Sequence, residues 1–136
     1  MKLNTYLTFR GNCREAFEFY AKALNGEIVS MFTHKGSPME ATTPPEWLDK
    51  IMHVRMTVGD QVLMGSDAPP QYSKEAQGFS VNIGVDSPEE AERIFHALAE
   101  GGKIGMPIAE TFWAKRFGMC FDRFGTPWMV NCEKPM

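Results

Sequence analysis

The chain describes one structural unit twice. Asn12 opens a helical pattern that stops at Gly26, and Ser87 opens another that stops at Gly101, so start and stop recur at an offset of 75 residues. The hairpin-like run Gly59-Asp60-Gln61-Val62-Leu63-Met64 has its counterpart in Phe124-Gly125-Thr126-Pro127-Trp128-Met129, at an offset of 65. The drop from 75 to 65 marks an insertion of 10 residues. It falls in the first copy, in the proline-rich, unpatterned stretch from Lys35 to Lys50, where added loop length costs little closure entropy. Two equivalent units in one small chain suggest a site shared between them.

Local patterning gives each unit the order βαβββ. In the first, residues 3–9 read as a strand, Asn12-x-x-Glu15 as an N-cap with its reciprocal carboxylate, and Phe17, Tyr20 and Leu24 as one helical face. Residues 27–34 form a second strand, and 51–58 and 61–66 a hairpin around Gly59-Asp60. In the second unit a strand over 79–85 precedes Ser87-Pro88-Glu89-Glu90, which combines an N-cap, a proline at the first helical position and a capping-box glutamate. Ala91, Ile94, Phe95 and Leu98 supply its buried stripe. Gly101-Gly102 stops that helix, 103–108 is a weak strand, and 116–121 pairs with 126–131 across Asp122-Arg123-Phe124-Gly125.

With 136 residues the chain buries roughly two-thirds of its unfolded surface, enough for a core without staples. A formal net charge of -3 leaves no electrostatic footprint for nucleic acid or an anionic membrane. No apolar run approaches a membrane span, and Met1-Lys2-Leu3 leads straight into a strand instead of a signal peptide. Cys13, Cys120 and Cys132 are odd in number and lack close metal-type spacing, which fits a reducing compartment. The expectation is a soluble cytoplasmic protein.

The βαβββ order, the run Glu15-Ala16-Phe17-Glu18-Phe19-Tyr20, the Gly-Gly after the second helix and Asp122-Arg123-Phe124-Gly125-Thr126-Pro127-Trp128 together resemble the vicinal oxygen chelate superfamily, which includes glyoxalase I and bleomycin-resistance-like proteins. Within it the chain is most similar to the PhnB-like branch, through Tyr6-Leu7-x-Phe9-x-Gly11-Asn12-Cys13-Arg14-Glu15-Ala16, Met52-His53, Gly59-Asp60-x-x-Leu63-Met64-x-Ser66-Asp67, and Trp113 through Asn131. The resemblance implies an α+β fold in which two βαβββ modules form curved mixed sheets around a cup. It spans 1–136 as a single glyoxalase-like domain, with modules at 1–67 and 78–132, and it implies a homodimer whose partners cover exposed sheet edges.

Metal-carrying members of that superfamily take one ligand from the first and one from the fourth strand of each module. Carried over through the repeat offsets, these cup positions are Thr5 and Ser80, and Met64 and Met129. Two hydroxyls and two thioethers suit neither a hard cation nor zinc, so no tightly bound metal and no cofactor are expected. A slip of one residue on the first strand presents Asn4 or Tyr6 instead, since it reverses the inward face.

Other residues offer chemistry. His53, Arg55 and Thr57 alternate with Met52, Val54, Met56 and Val58, and a polar face of that period fits either solvent or a ligand chamber. If it is interior, Arg55 forks onto a carboxylate or phosphonate and His53 transfers a proton near neutral pH. Asp67, just past the fourth strand, is then placed to orient His53, or is a turn residue ahead of Pro69-Pro70. Trp113 and Phe117, with Phe112 and Trp128, suggest an aromatic wall, although core packing accounts for Trp128 as well. His96 lies off the buried stripe of its helix, and His34 ends a strand beside the loop. Cys13 sits in the first turn of a helix, where the dipole favours a thiolate, but a small buried side chain is the more ordinary reading.

Three function classes follow: metal-independent binding of a small molecule, which the residues favour; a metal-dependent lyase, isomerase or dioxygenase, which the poor ligand set disfavours; and a methyltransferase. Sequences like this one are sometimes labelled as acting on demethylubiquinone. No glycine-rich strand-to-helix turn is present to cradle S-adenosylmethionine, and Gly101-Gly102-Lys103-Ile104-Gly105 follows a helix instead.

Overall fold

The computed structural model describes residues 1–69 and 74–135, and it divides into two compact units at Lys74 and Glu75. Module one contains β1 (Thr5–Phe9), α1 (Cys13–Leu24), β2 (Glu27–Thr33), β3 (Ile51–Val58) and β4 (Gln61–Asp67). Module two contains β5 (Val81–Gly84), α2 (Pro88–Ala99), β6 (Lys103–Ala109), β7 (Ala114–Phe121) and β8 (Pro127–Glu133). Each module builds one four-stranded mixed sheet, in the order β1-β4-β3-β2 and β5-β8-β7-β6. β1 runs parallel to β4, and β5 to β8; the other pairings are antiparallel. The chain therefore has an α+β fold of two βαβββ modules with curved sheets.

In each module the helix covers one face of the sheet. α1 buries Phe17 and Tyr20, whose rings lie 6.1 and 6.4 Å from that of Phe9, and Leu7, Val54, Met56 and Leu63 of the sheet are buried with them. A β-carbon on Gly65 would lie 2.7 Å from the Phe17 ring and 2.8 Å from the Leu7 carbonyl, so only glycine lets the ring settle this close to β4. Module two repeats the device with other residues, because a β-carbon on Gly118 would lie 2.6 Å from the ring of Phe95. Trp128, Val130, Cys120 and Cys132 complete that core.

The helix ends show where local signals act and where they are overridden. The Ser87 hydroxyl accepts a hydrogen bond from Glu90 N at 3.0 Å and Pro88 occupies the first turn, as the motif predicts. The Glu90 carboxylate turns instead to Arg93, at 2.6 and 3.2 Å. At α1 the expected Asn12 side-chain cap is not made. Asp67, distant in sequence, takes its place by accepting from Cys13 N at 3.0 Å. The other end of α1 closes on Asn25 in the left-handed conformation, with φ of 54°, and Gly26 follows it. The inserted loop carries two single-turn 3-10 segments, Glu40–Thr42 and Pro45–Trp47, and is closed at its base where Lys35 N donates to Leu48 O at 2.8 Å.

Candidate functional site

Module one leaves one sheet face uncovered by its own helix. Paired Cα positions in a sheet project to the same side, so the register assigns the faces. Met64 is partnered by Tyr6 on β1 and by Arg55 on β3, while Val54 pairs with Gly65 and Met56 with Leu63 on the helix side. His53, Arg55 and Thr57 thus share the uncovered face with Tyr6 and Met64, and all three are half-buried. The Tyr6 hydroxyl lies 3.3 Å from His53 Nδ1, with ring centroids 5.8 Å apart, and Tyr6 remains 46% exposed.

Thr5 belongs to the opposite face. It pairs with Leu63, so the position that shares a face with Met64 is Tyr6. In module two Ser80 lies before the strand begins, and the partner of Met129 is Asn82. By these partners the first strands are related by an offset of 76, from Tyr6 to Asn82, whereas the helices keep 75, from Cys13 to Pro88. That single residue is the slip that exchanges faces. The residues at these positions on the uncovered faces are therefore Tyr6 and Met64 in module one, and Asn82 and Met129 in module two. Within each module the pair on offer, a phenol with a thioether or an amide with a thioether, suits neither zinc, iron nor a hard cation. Among the described residues no group of three or more His, Cys, Asp or Glu side chains is placed to hold a metal ion.

Asp67 does not orient His53. It pairs with Phe9 on the helix-covered side, is only 5% exposed, and spends both oxygens on backbone: Gly11 N at 2.8 Å and Cys13 N at 3.0 Å on Oδ1, and Ile51 N at 2.9 Å on Oδ2. A buried carboxylate with these donors ties the start of α1 and the start of β3 to the end of β4. Cys13 is fully buried, and its thiol is pushed well above the ordinary range by desolvation first and the Asp67 charge second, so it is no nucleophile. His96 sits on the surface of α2, paired with Glu92 at 3.1 Å. His34 keeps Nδ1 buried without a hydrogen-bond partner at the foot of the inserted loop.

In module two the uncovered face is apolar where that of module one is polar. Phe117 pairs with Asn131 and Met119 with Met129, while Gly118 and Cys120 face α2 with Val130 and Trp128. Trp113, 42% exposed just before β7, meets the Phe117 ring at 5.4 Å and the Phe112 ring at 4.8 Å, both edge-on. Trp128 belongs to the core instead, 1% exposed, with Nε1 donating to Asp122 Oδ2 at 2.8 Å. Patterning alone offers Tyr6 only as a one-residue alternative to Thr5, and the β1 to β4 register selects it.

Comparison with known proteins gives the family. Residues 1–131 match the family model described as 3-demethylubiquinone-9 3-methyltransferase. Protein YjdN of Escherichia coli strain K12 is 34% identical over 98% of this chain and 97% of its own. Protein PA1353 from Pseudomonas aeruginosa is 49% identical, with a TM-score of 0.90 over 99% of both chains. A Bacillus cereus structure described as a putative 3-demethylubiquinone-9 3-methyltransferase, PhnB protein, is 28% identical, with a TM-score of 0.78 over 97% of this chain and 99% of its own. The fosfomycin resistance protein FosX of Listeria monocytogenes shares the fold alone, at 10% identity and a TM-score of 0.67 over 98% of this chain and 93% of its own. The methyltransferase description finds no support in the geometry: the strand-to-helix connections are Arg10-Gly11-Asn12, where Gly11 N is engaged by Asp67, and Val85-Asp86-Ser87, and neither forms a glycine-rich nucleotide cradle. The chain belongs to the PhnB-like branch of the vicinal oxygen chelate superfamily, the family whose model carries that description.

Proposed function

We propose that this protein binds a small, partly apolar molecule carrying a carboxylate, phosphonate or carbonyl group, without a metal ion. The observation that carries the reading is the uncovered face of module one, where Arg55 and His53 project side by side from β3 and remain partly open to solvent. A guanidinium presents a planar fork that matches two oxygens at once, and an imidazole adds a further polar contact. Trp113 and Phe117 of module two supply an aromatic surface suited to an apolar or planar ligand. Each face offers a ligand-binding surface in its own right.

A metal-dependent lyase, isomerase or dioxygenase is the second reading, and the donor chemistry of Tyr6, Met64, Asn82 and Met129 speaks against it. Methyl transfer is disfavoured further, for want of a nucleotide cradle. We further infer a homodimer, because β1, β2, β5 and β6 are edge strands that a second copy can cover. Cytoplasmic residence is part of the same reading and is supported by three cysteines without a disulfide. No helix among the described residues is long and apolar enough to cross a membrane, and no nucleic-acid partner is proposed.

The test is a thermal-shift screen of carboxylates, phosphonates and quinones on protein purified without chelators. A hit that raises the melting temperature in a concentration-dependent way, and keeps doing so with a chelator present, supports the reading. Hits that vanish with chelator favour the metal-dependent class.

A further inference from the structure

We infer that Tyr6 is a positioning residue that fixes His53 as a hydrogen-bond donor toward the ligand, which makes module one's face selective for acceptor groups. The inference rests on the ligand-binding reading above and specifies its chemistry. Tyr6 OH and His53 Nδ1 are 3.3 Å apart, across β4, on the face that also carries Arg55. A phenol is a better donor than acceptor, and an unprotonated imidazole nitrogen is a better acceptor than a phenol oxygen, so the proton of this contact belongs to Tyr6. With Nδ1 accepting, the neutral ring carries its own proton on Nε2. The face then presents an imidazole N–H two residues from a guanidinium fork, both donors.

Two consequences separate this arrangement from an ordinary solvated histidine. First, groups that only donate, such as ammonium ions, find no acceptor on either side chain and are rejected, while carboxylates, phosphonates and carbonyls are accepted. Second, His53 in this state has no free lone pair, so it holds a ligand and does not abstract a proton from it.

The experiment records long-range proton–nitrogen correlation spectra of His53 in the 15N-labelled full chain, at a pH where the ring is neutral, for the wild type and Tyr6→Phe. Phenylphosphonate is then titrated into both and into Arg55→Met. The inference expects the proton on Nε2 in the wild type and a mixture of tautomers in Tyr6→Phe. It also expects Nε2 to respond to phenylphosphonate, with binding about threefold to tenfold weaker in Tyr6→Phe. Tyr6 is exposed and the change removes one oxygen, so the fold is retained. A proton found on Nδ1, or a tautomer unchanged by Tyr6→Phe, overturns the inference while leaving Arg55 as an anchor. Phenylphosphonate that binds Arg55→Met as well as the wild type overturns the underlying ligand reading instead.

Discussion

The Asp67 carboxylate accepts a hydrogen bond from the backbone N–H of Cys13 at 3.0 Å, and so caps a helix that begins 54 residues earlier in the chain. The same side chain holds Gly11 and Ile51, so three buried or part-buried donors depend on it. Asp67→Ala leaves all three unpaired and should destabilise the protein by about 3 kcal/mol or more, whereas Asp67→Asn keeps one acceptor oxygen and should cost less. Urea unfolding of the two variants checks the order, and equal, small losses would show that the carboxylate is dispensable.

The thiols should be silent in the folded state. Burial pushes the Cys120 thiol from its ordinary value of 9.0 up to about 11, with the Asp122 charge adding to it, and Cys13 rises further. A disulfide reagent at pH 8 should therefore react only as fast as the protein unfolds, and with all three thiols once denaturant is added. The sign for stability follows from the raised value: below about pH 9 both states are protonated, and above it only the unfolded state loses its proton. Stability should fall as pH rises from about 9 to about 11, and less steeply in Cys120→Ala.

Helices and strand pairs were legible because their signals are local: Ser87-Pro88 at the start of α2, Gly101-Gly102 past its end, and the two-residue period of 51–58. Thr5 and Asp67 were misread for a shared reason. Which residue of β1 faces Met64 depends on pairing with β4, and what Asp67 accepts depends on donors 16 to 56 residues away. Neither is encoded in a short window. Asn12 shows the same limit, since its local cap signal loses to a stronger charged acceptor supplied by the tertiary fold.

Asn131 offers a test of an unsatisfied group. Its Nδ2 donates to Glu133 at 3.3 Å, which leaves Oδ1 buried without a hydrogen-bond partner beside Phe117. Asn131→Leu removes the orphan carbonyl and should leave stability unchanged or raise it by about 1 kcal/mol. A clear loss in thermal unfolding would mean the amide has a structural partner.

Metal analysis bears on the donor set. Protein purified without chelators should carry far less than one equivalent of Zn, Ni, Mn or Fe, because Tyr6, Met64, Asn82 and Met129 are poor partners for any of them. Stoichiometric metal that is lost on changing Tyr6 or Met64 would contradict the assignment.

The central claim is that Arg55 anchors an anionic or carbonyl group on the uncovered face of module one. It is tested most directly by titrating the best carboxylate or phosphonate from the screen into the wild type and Arg55→Met, which keeps length and removes the fork. A charge-assisted contact predicts affinity lower by about 1.5 to 3 kcal/mol, roughly tenfold to more than a hundredfold, with the fold intact. Unchanged affinity in Arg55→Met would contradict the account.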